Sequence, residues 1–309
     1  MKLEALRQYA TDHAGDSASG KSLREITRWI NAALRVCANA REWSFLRDVV
    51  SITLTPGVSG SYLGVTQDSD QLTLDPAQTE VFLQAWVDQQ RIFIIEGAEP
   101  QHYTISTILN PRLARLTAGQ TWVAATDAAA TYSVVRSLYD LPENTRQVHE
   151  VRLASTRQIL TPYTVTDFDF LKHTEATSTG SPTHYTIRGD QIEVWPPLAA
   201  GSDTDQLLLT RTRLPTPVKD TSLPTTTIDW PDSMADLLER AVDVEIVSKC
   251  GATSMLNPQL ALAAFGEAMG RYKATDGVRQ QRATSFGWSP GYLRGEADRL
   301  AMRRSPIDD

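Results

Sequence analysis

Residues 22–46 read SLREITRWINAALRVCANAREWSFL, and the reading of this stretch decides the rest. Leu23, Ile26, Ile30, Ala33, Leu34, Cys37 and Ala40 recur every three or four residues, the period of one helix face. Trp29, Val36 and Trp43 form a second line at spacing seven beside it. Ser22 and Glu25 stand at capping-box spacing, in which Ser22 accepts from the Glu25 amide and Glu25 answers back. Each apolar side chain on that face is worth about 1.5–3 kcal/mol once buried, so such a helix needs partners. The residues that follow have strand character, and helical partners return only near the other end of the chain. The expected class is α+β: a helical bundle built from the N- and C-terminal helices, a large inserted antiparallel β region (a small barrel or sandwich), and an extended C-terminal arm.

At 309 residues the chain is long enough for a proper core and for two domains. A net charge of −7 argues against wrapping nucleic acid over the whole surface, while leaving room for a local basic patch. The opening MKLEALRQYATDHA has no apolar core segment of the kind a secretion signal needs. The longest aliphatic cluster, Ile92-Phe93-Ile94-Ile95, is far too short for a bilayer, so no membrane association is expected. Cys37 and Cys250 both sit in apolar helical contexts and read as buried, reduced thiols in a cytosolic setting.

Residues 2–14 read as a short helix with Leu3, Leu6 and Ala10 on one side and Gly15 as a stop. After Leu46 the period changes. Strands are expected at Val49–Leu54, Gln71–Leu74, Arg91–Glu96, His102–Ile108, Arg112–Leu116 and Thr131–Arg136, with Pro56-Gly57, Gly60, Gly97, Asn110-Pro111 and Gly119 as punctuation. Gln78 to Trp86 is ambiguous, with room for one helical turn. A second β stretch spans Val148 to Arg213, clearest in the hairpin Thr183–Ile187, Gly189-Asp190, Gln191–Trp195. Leu214 to Thr227 is a Pro/Thr-rich link. Helix returns at Pro231 with Met234, Leu237, Leu238, Ala241, Val242 and Ile246 as its apolar face, closed by Gly251. Asn257-Pro258 opens another, with Ala261, Phe265, Ala268 and Tyr272 in register and Asp276-Gly277 as its end. The expected domains are 1–46 plus 229–276 (helical), 47–228 (β, in one body or in two lobes of about 47–137 and 138–228), and a 277–309 extension.

Chemistry-bearing patterns are few. Gly15 to Ser22 matches the phosphate-binding pattern G-x-x-x-x-G-K-S, with Lys21 as the phosphate-reaching lysine. A helix follows, but the preceding Leu3, Leu6 and Ala10 are helix-spaced where the motif requires a buried strand, so a plain loop between helices is the expected outcome. His13, His102, His149, His173 and His184 stand at no metal-ligand spacing, and neither metal nor cofactor is expected. Asp167 and Asp169 share a face if extended, as carboxylates beside Phe168 and Phe170 on a strand edge. There is no G-x-S-x-G elbow and no Cys–His pair, and no enzymatic activity is expected. Trp86, Trp122 and Trp195 offer stacking surfaces for a sugar if exposed, though strand tryptophans are more often core. The tail differs. Between Arg271 and Arg304 eight Lys or Arg face three acids. Phe286, Trp288 and Tyr292 stand among Arg279, Arg282, Arg294, Arg299, Arg303 and Arg304, the mixture that interface hot spots favour. These nine residues are the candidate docking site of a segment that orders on a partner; the alternatives are a solvated, disordered end and, third, Arg contacts to DNA phosphate.

Taken together, the pattern resembles the head-to-tail adaptor (connector) proteins of tailed bacteriophages. The residues that carry the resemblance are Arg41-Glu42-Trp43-Ser44-Phe45-Leu46 at the end of the opening helix, Tyr139-Asp140-Leu141-Pro142-Glu143-Asn144, Leu160-Thr161-Pro162-Tyr163, Gly180-Ser181-Pro182-Thr183-His184-Tyr185-Thr186-Ile187, and Gln191 to Pro197. It covers roughly residues 20–275 and is weakest from Val49 to Arg136. What it implies is a structural virion protein at the neck between capsid and tail. It would form a homo-oligomeric ring, commonly of twelve copies, docked under the portal protein, with a tail tube or nozzle protein below. The C-terminal extension would reach onto the portal, and genomic DNA would pass through the lumen without sequence-specific binding. The alternative is another tail or baseplate protein with a receptor- or glycan-binding β domain; a P-loop nucleotide-binding protein comes third.

Overall fold

The computed structural model describes residues 1–14, 23–76, 81–95, 102–175, 179–250 and 256–285, with side chains to residue 276 in the last of these. The fold is mixed α+β with antiparallel sheets, the class expected from the sequence. Among the described residues there are six α-helices: α1 (Leu3–Ala14), α2 (Leu23–Asn39), α3 (Gln84–Asp88), α4 (Val165–Thr174), α5 (Ala235–Cys250) and α6 (Pro258–Ser285). The chain divides into two compact units, Met1–Asp48 with Thr212–Asp309, and Val49–Arg211.

In the first unit α5 packs against α1, α2 and α6. One core takes Leu3, Leu6 and Ala10 from α1, Ile26, Ile30, Leu34 and Cys37 from α2, Leu237, Leu238, Val242 and Ile246 from α5, and Ala268 and Met269 from α6. Phe265 packs against the cluster that contains Ile30. The helix face read from the sequence is only partly buried: Leu23, Val36 and Ala40 are exposed. Nor does α2 reach Leu46. It stops at Asn39, and a 3-10 turn at Ser44–Leu46 follows. The reason is Trp43, which is fully buried and donates its indole N–H to the Cys37 carbonyl at 2.8 Å, satisfying one of the open acceptors of the helix end. Trp230 then meets Trp43 and Phe45 edge to face. The Pro/Thr-rich stretch belongs to this unit. Val218 and Ile228 enter its core, Asn31 exchanges two hydrogen bonds of 2.8 Å with the Val218 backbone, and Arg7 donates to the Ser222 and Lys219 carbonyls.

The second unit begins along β1 (Arg47–Leu54). A closed barrel follows, built from β2 (Val58–Val65), β3 (Gln71–Leu74), β4 (Ile92–Ile95), β5 (His102–Asn110), β6 (Leu113–Leu116) and β7 (Asp127–Val135). Its strand order is β2-β3-β6-β5-β4-β7, and its pairs are antiparallel. Leu63, Leu72, Phe93, Tyr103, Leu116 and Tyr132 fill the interior, with Phe82, Trp86 and Trp122. β2 stands where the sequence reads as turns. Its glycines mark close approach of neighbouring chain: a Cβ on Gly60 would lie 2.5 Å from the Tyr132 hydroxyl, and one on Gly64 2.3 Å from Thr73 Oγ1.

After the barrel come β8 (Leu138–Asp140), β9 (Thr145–Leu153), β10 (Thr161–Pro162), β11 (His184–Arg188), β12 (Gln191–Trp195) and β13 (Asp205–Arg213). They form a three-stranded sheet, β1-β13-β9, and a four-stranded one, β10-β11-β12-β8, with a shared core that includes Leu54, Tyr139, Val151, Ile192 and Leu209. The short β10–β11 pair is parallel, an exception to the expected antiparallel pairing. The β11–β12 hairpin has the register read from the sequence, with Gly189 at φ +63° in its turn.

Candidate functional site

The element that leads to the tail is α6. Its start is fixed by Asn257, whose side-chain oxygen accepts from the amides of Gln259 (2.9 Å) and Leu260 (3.4 Å) while Pro258 supplies a pre-set φ. Ala261, Ala268 and Met269 are buried, and Phe265 and Tyr272 are partly so against the core. Polar ties then hold its middle turns, from Arg271 to Asp276. Arg271 donates to Asp236 at 2.8 Å, Arg41 donates to the Lys273 carbonyl, and the buried Asp276 accepts from the Ser44 hydroxyl at 2.5 Å with Arg41 nearby at 3.8 Å. The sequence places the helix end at Asp276-Gly277, but α6 continues to Ser285. A glycine inside a helix costs about 1 kcal/mol, which does not end a helix whose preceding turns are tied this firmly. At 28 residues, α6 is about 42 Å long. Its first turns present Leu260 and Leu262, 69% and 58% exposed, to solvent.

Of the candidate docking residues, Arg279 and Arg282 fall on the helical backbone of α6. Phe286, Trp288, Tyr292, Arg294, Arg299, Arg303 and Arg304 lie outside the described residues, as do the Gly15–Ser22 loop with Lys21 and the Ser22 cap. The loop is flanked by α1 and α2, with helix where the phosphate-binding motif requires a strand.

Two buried carboxylates, neither singled out in the sequence, organise charge clusters. Asp243 on α5 accepts from the Tyr9 hydroxyl at 2.9 Å, sits 2.7 Å from His13 Nδ1 and has Arg240 at 3.4 Å. Burial, and then the Asp243 carboxylate, push the Tyr9 phenol well above its ordinary range, so it stays a donor. This ties α1 to α5. In the second unit Glu193 of β12 binds Lys172 of α4 and Arg188 of β11, each at 2.5 Å, with the Ser137 hydroxyl at 3.3 Å. Arg188 also reaches Asp169. Asp167 and Asp169 are therefore on a helix, not a strand edge. Thr164 caps α4 by accepting from the Asp167 amide at 3.2 Å and donating to its carboxylate at 2.7 Å. The two acids then diverge, one to the cap and one to Arg188.

Trp86, Trp122 and Trp195 are all core residues, closed to a stacked sugar. Cys37 is buried and unpaired with Cys250, and burial pushes its thiol up to about 12. Among the described residues no group of three His, Cys, Asp or Glu is placed to hold a metal ion, and no helix is long and apolar enough to cross a membrane. No protein-family model matches the chain, and comparison with curated proteins gives no match.

Proposed function

We propose that this chain is a non-enzymatic structural protein of a tailed-phage virion, a head-to-tail adaptor. In this reading a helical hub from both chain ends carries the β region as an insertion and a C-terminal arm as a clamp onto the portal protein. The observation that carries it is α6: a helix capped by Asn257, tied to neighbouring elements by Arg271 and Asp276, running on to Ser285 and followed in sequence by the Arg- and aromatic-rich segment. A helix held this way through Asp276 gives a docking arm a firm root, which is what such an arm requires. Copies would close into a ring, commonly of twelve, by a head-to-tail interface, with a tail tube or nozzle protein as the second neighbour. Residues 49–211 contribute charge of the sign a DNA-passing neck needs, with eighteen Asp and Glu against ten Lys and Arg, so phosphates are repelled.

The test is deletion of Phe286–Asp309, which leaves α6 whole. The truncated chain is expected to keep the circular dichroism and thermal midpoint of the full chain while losing co-sedimentation with purified portal rings. Undiminished co-sedimentation would refute the docking role.

A further inference from the structure

Among the described residues the buried charged side chains are compensated, with one exception. Glu193 has Lys172 and Arg188, Asp243 has Arg240 and His13, and Asp276 has Arg41. Arg211 donates to the Pro142 and Glu143 carbonyls and to the Thr145 hydroxyl. The exception is Arg91, 8% exposed, whose Nε donates to the neutral side chain of Gln89 at 3.0 Å. Its surroundings add charge of the same sign. Ile92 pairs with Val135 in the antiparallel β4–β7 ladder, so the next residue on each strand brings Arg91 opposite Arg136. Like charges directly opposite destabilise a strand pair. Arg136 donates through Nε to the Leu138 carbonyl at 2.9 Å and lays its guanidinium over the Tyr139 ring, 4.5 Å from the centroid. Among the described residues neither arginine has a carboxylate partner. Burial, and then the Arg136 charge, hold the Arg91 guanidinium below its ordinary range, with Tyr139 acting the other way.

We propose that Arg91 and Arg136 form an anion site for a terminal phosphate group, carried by a free phosphate ion or a phosphate monoester. A buried charge costs heavily unless an opposite charge meets it, and this pair has none of its own. The charge count selects the ligand. Two guanidiniums match a phosphate group, which carries about −1.5 to −2 near neutral pH and offers oxygens to both forks at once. A single carboxylate would leave one cation unmatched. Access selects the end of a molecule over a chain: Arg91 meets solvent over a small part of its surface, whereas a nucleic-acid backbone needs an open path on both sides. The acidic balance of residues 49–211 repels a polyanion at a distance, yet a single small dianion in contact with two cations meets those first. The site lies wholly within residues 49–211 and is independent of the adaptor reading, since it involves neither the helical unit nor the arm.

The test is isothermal titration of the full chain with inorganic phosphate at neutral pH and constant ionic strength, repeated with methyl phosphate and with acetate. Phosphate is expected to saturate one site per chain, and acetate to bind at least about tenfold more weakly. Arg91→Gln and Arg136→Gln, each checked for fold by circular dichroism, are expected to weaken phosphate about tenfold or more. Arg115→Gln, at an exposed pair with Asp70 elsewhere on the barrel, is expected to leave binding unchanged. Methyl phosphate binding as tightly as inorganic phosphate would support a monoester ligand, and its exclusion would support the free ion. Absence of saturable binding to the unaltered chain would overturn the proposal. So would equal binding of acetate, no effect of either substitution, an equal loss with Arg115→Gln, or displacement of phosphate by an unphosphorylated oligothymidylate.

Discussion

Replacing Phe168 by Ala should detach α4 without unfolding the barrel beneath it. Phe168 is the fully buried residue of this ten-residue helix, seated among Ile92, Ile94, Val135 and Trp195. Phe→Ala in a core costs about 3–5 kcal/mol. A helix this short has almost no stability of its own, so its attachment bears the loss. The remaining anchors are Leu171, partly buried against the same cluster, and polar groups. The Arg188–Asp169 pair is half in water on the Asp169 side and contributes roughly 0–1 kcal/mol. Lys172 binds Glu193 inside the cluster, but on opening Lys172 regains water while Glu193 keeps Arg188, so that bond resists opening only in part. At 1.4 kcal/mol per factor of ten, losing 3–5 kcal/mol raises the open population of α4 by about two to three orders of magnitude. Hydrogen exchange read by mass spectrometry should show that acceleration in Val165–Thr174, with amides of Phe93 and Val134 in the barrel wall unchanged. Uniform acceleration across 49–211, or none in α4, would show that the helix is an inseparable part of the unit's core and refute the reasoning.

Two further outcomes follow from contacts in the two units. Hydrogen bonding from Arg213 holds the Asp229 carboxyl below the usual carboxylate range, against burial, which acts the other way, with the Thr216 amide assisting. A depressed folded pKa gives stability that is present above the ordinary carboxylate value of about 4 and lost as pH falls through the folded value. Asp229→Asn should therefore cost about 1–3 kcal/mol at neutral pH in urea unfolding, with the gap to wild type closing below roughly pH 4; a pH-independent gap would contradict the assignment. In the barrel, Gly64→Ala should cost about 1–3 kcal/mol because its Cβ would lie 2.3 Å from the Oγ1 of its cross-strand neighbour Thr73. Thr73→Ala in the same chain should restore part of that loss, and strict additivity in the double-mutant cycle would exclude the clash as its cause.

Local signals carried the sequence reading where the structure is local. Gln71–Leu74, the β11–β12 hairpin and the Asn257-Pro258 start each depend on residues a few positions apart, and each was readable as such. β2 was not, because Gly60 and Gly64 look like breaks until Tyr132 and Thr73 occupy the space their side chains would need. α4 reads as a strand edge although Thr164 and Asp167 have cap spacing. Phe168 and Phe170 beside two acids alternate like a strand, and Phe170 is in fact 70% exposed. α2 looks longer in sequence than it is because Trp43 continues the heptad line yet folds back onto the Cys37 carbonyl. Of the candidate docking residues, the sequence supplied composition, and the structure supplies only the helix that leads to them.

Glu193 shows why the remainder was beyond local patterns. In a two-stranded hairpin its position, between Ile192 and Val194, is the outward one, and a carboxylate there is unremarkable. Once α4 covers that face, the same carboxylate loses water and needs compensating charge, which Lys172 and Arg188 provide from 21 and 5 residues away. Asp243 is the parallel case across 234 and 230 residues, with Tyr9 and His13. Removing one partner of such a buried charge costs far more than the pair contributes, so these sites fix which elements must pack together rather than how strongly. A carboxylate on a polar-looking face is therefore ambiguous in sequence, and only the element that covers it decides whether it is surface or keystone.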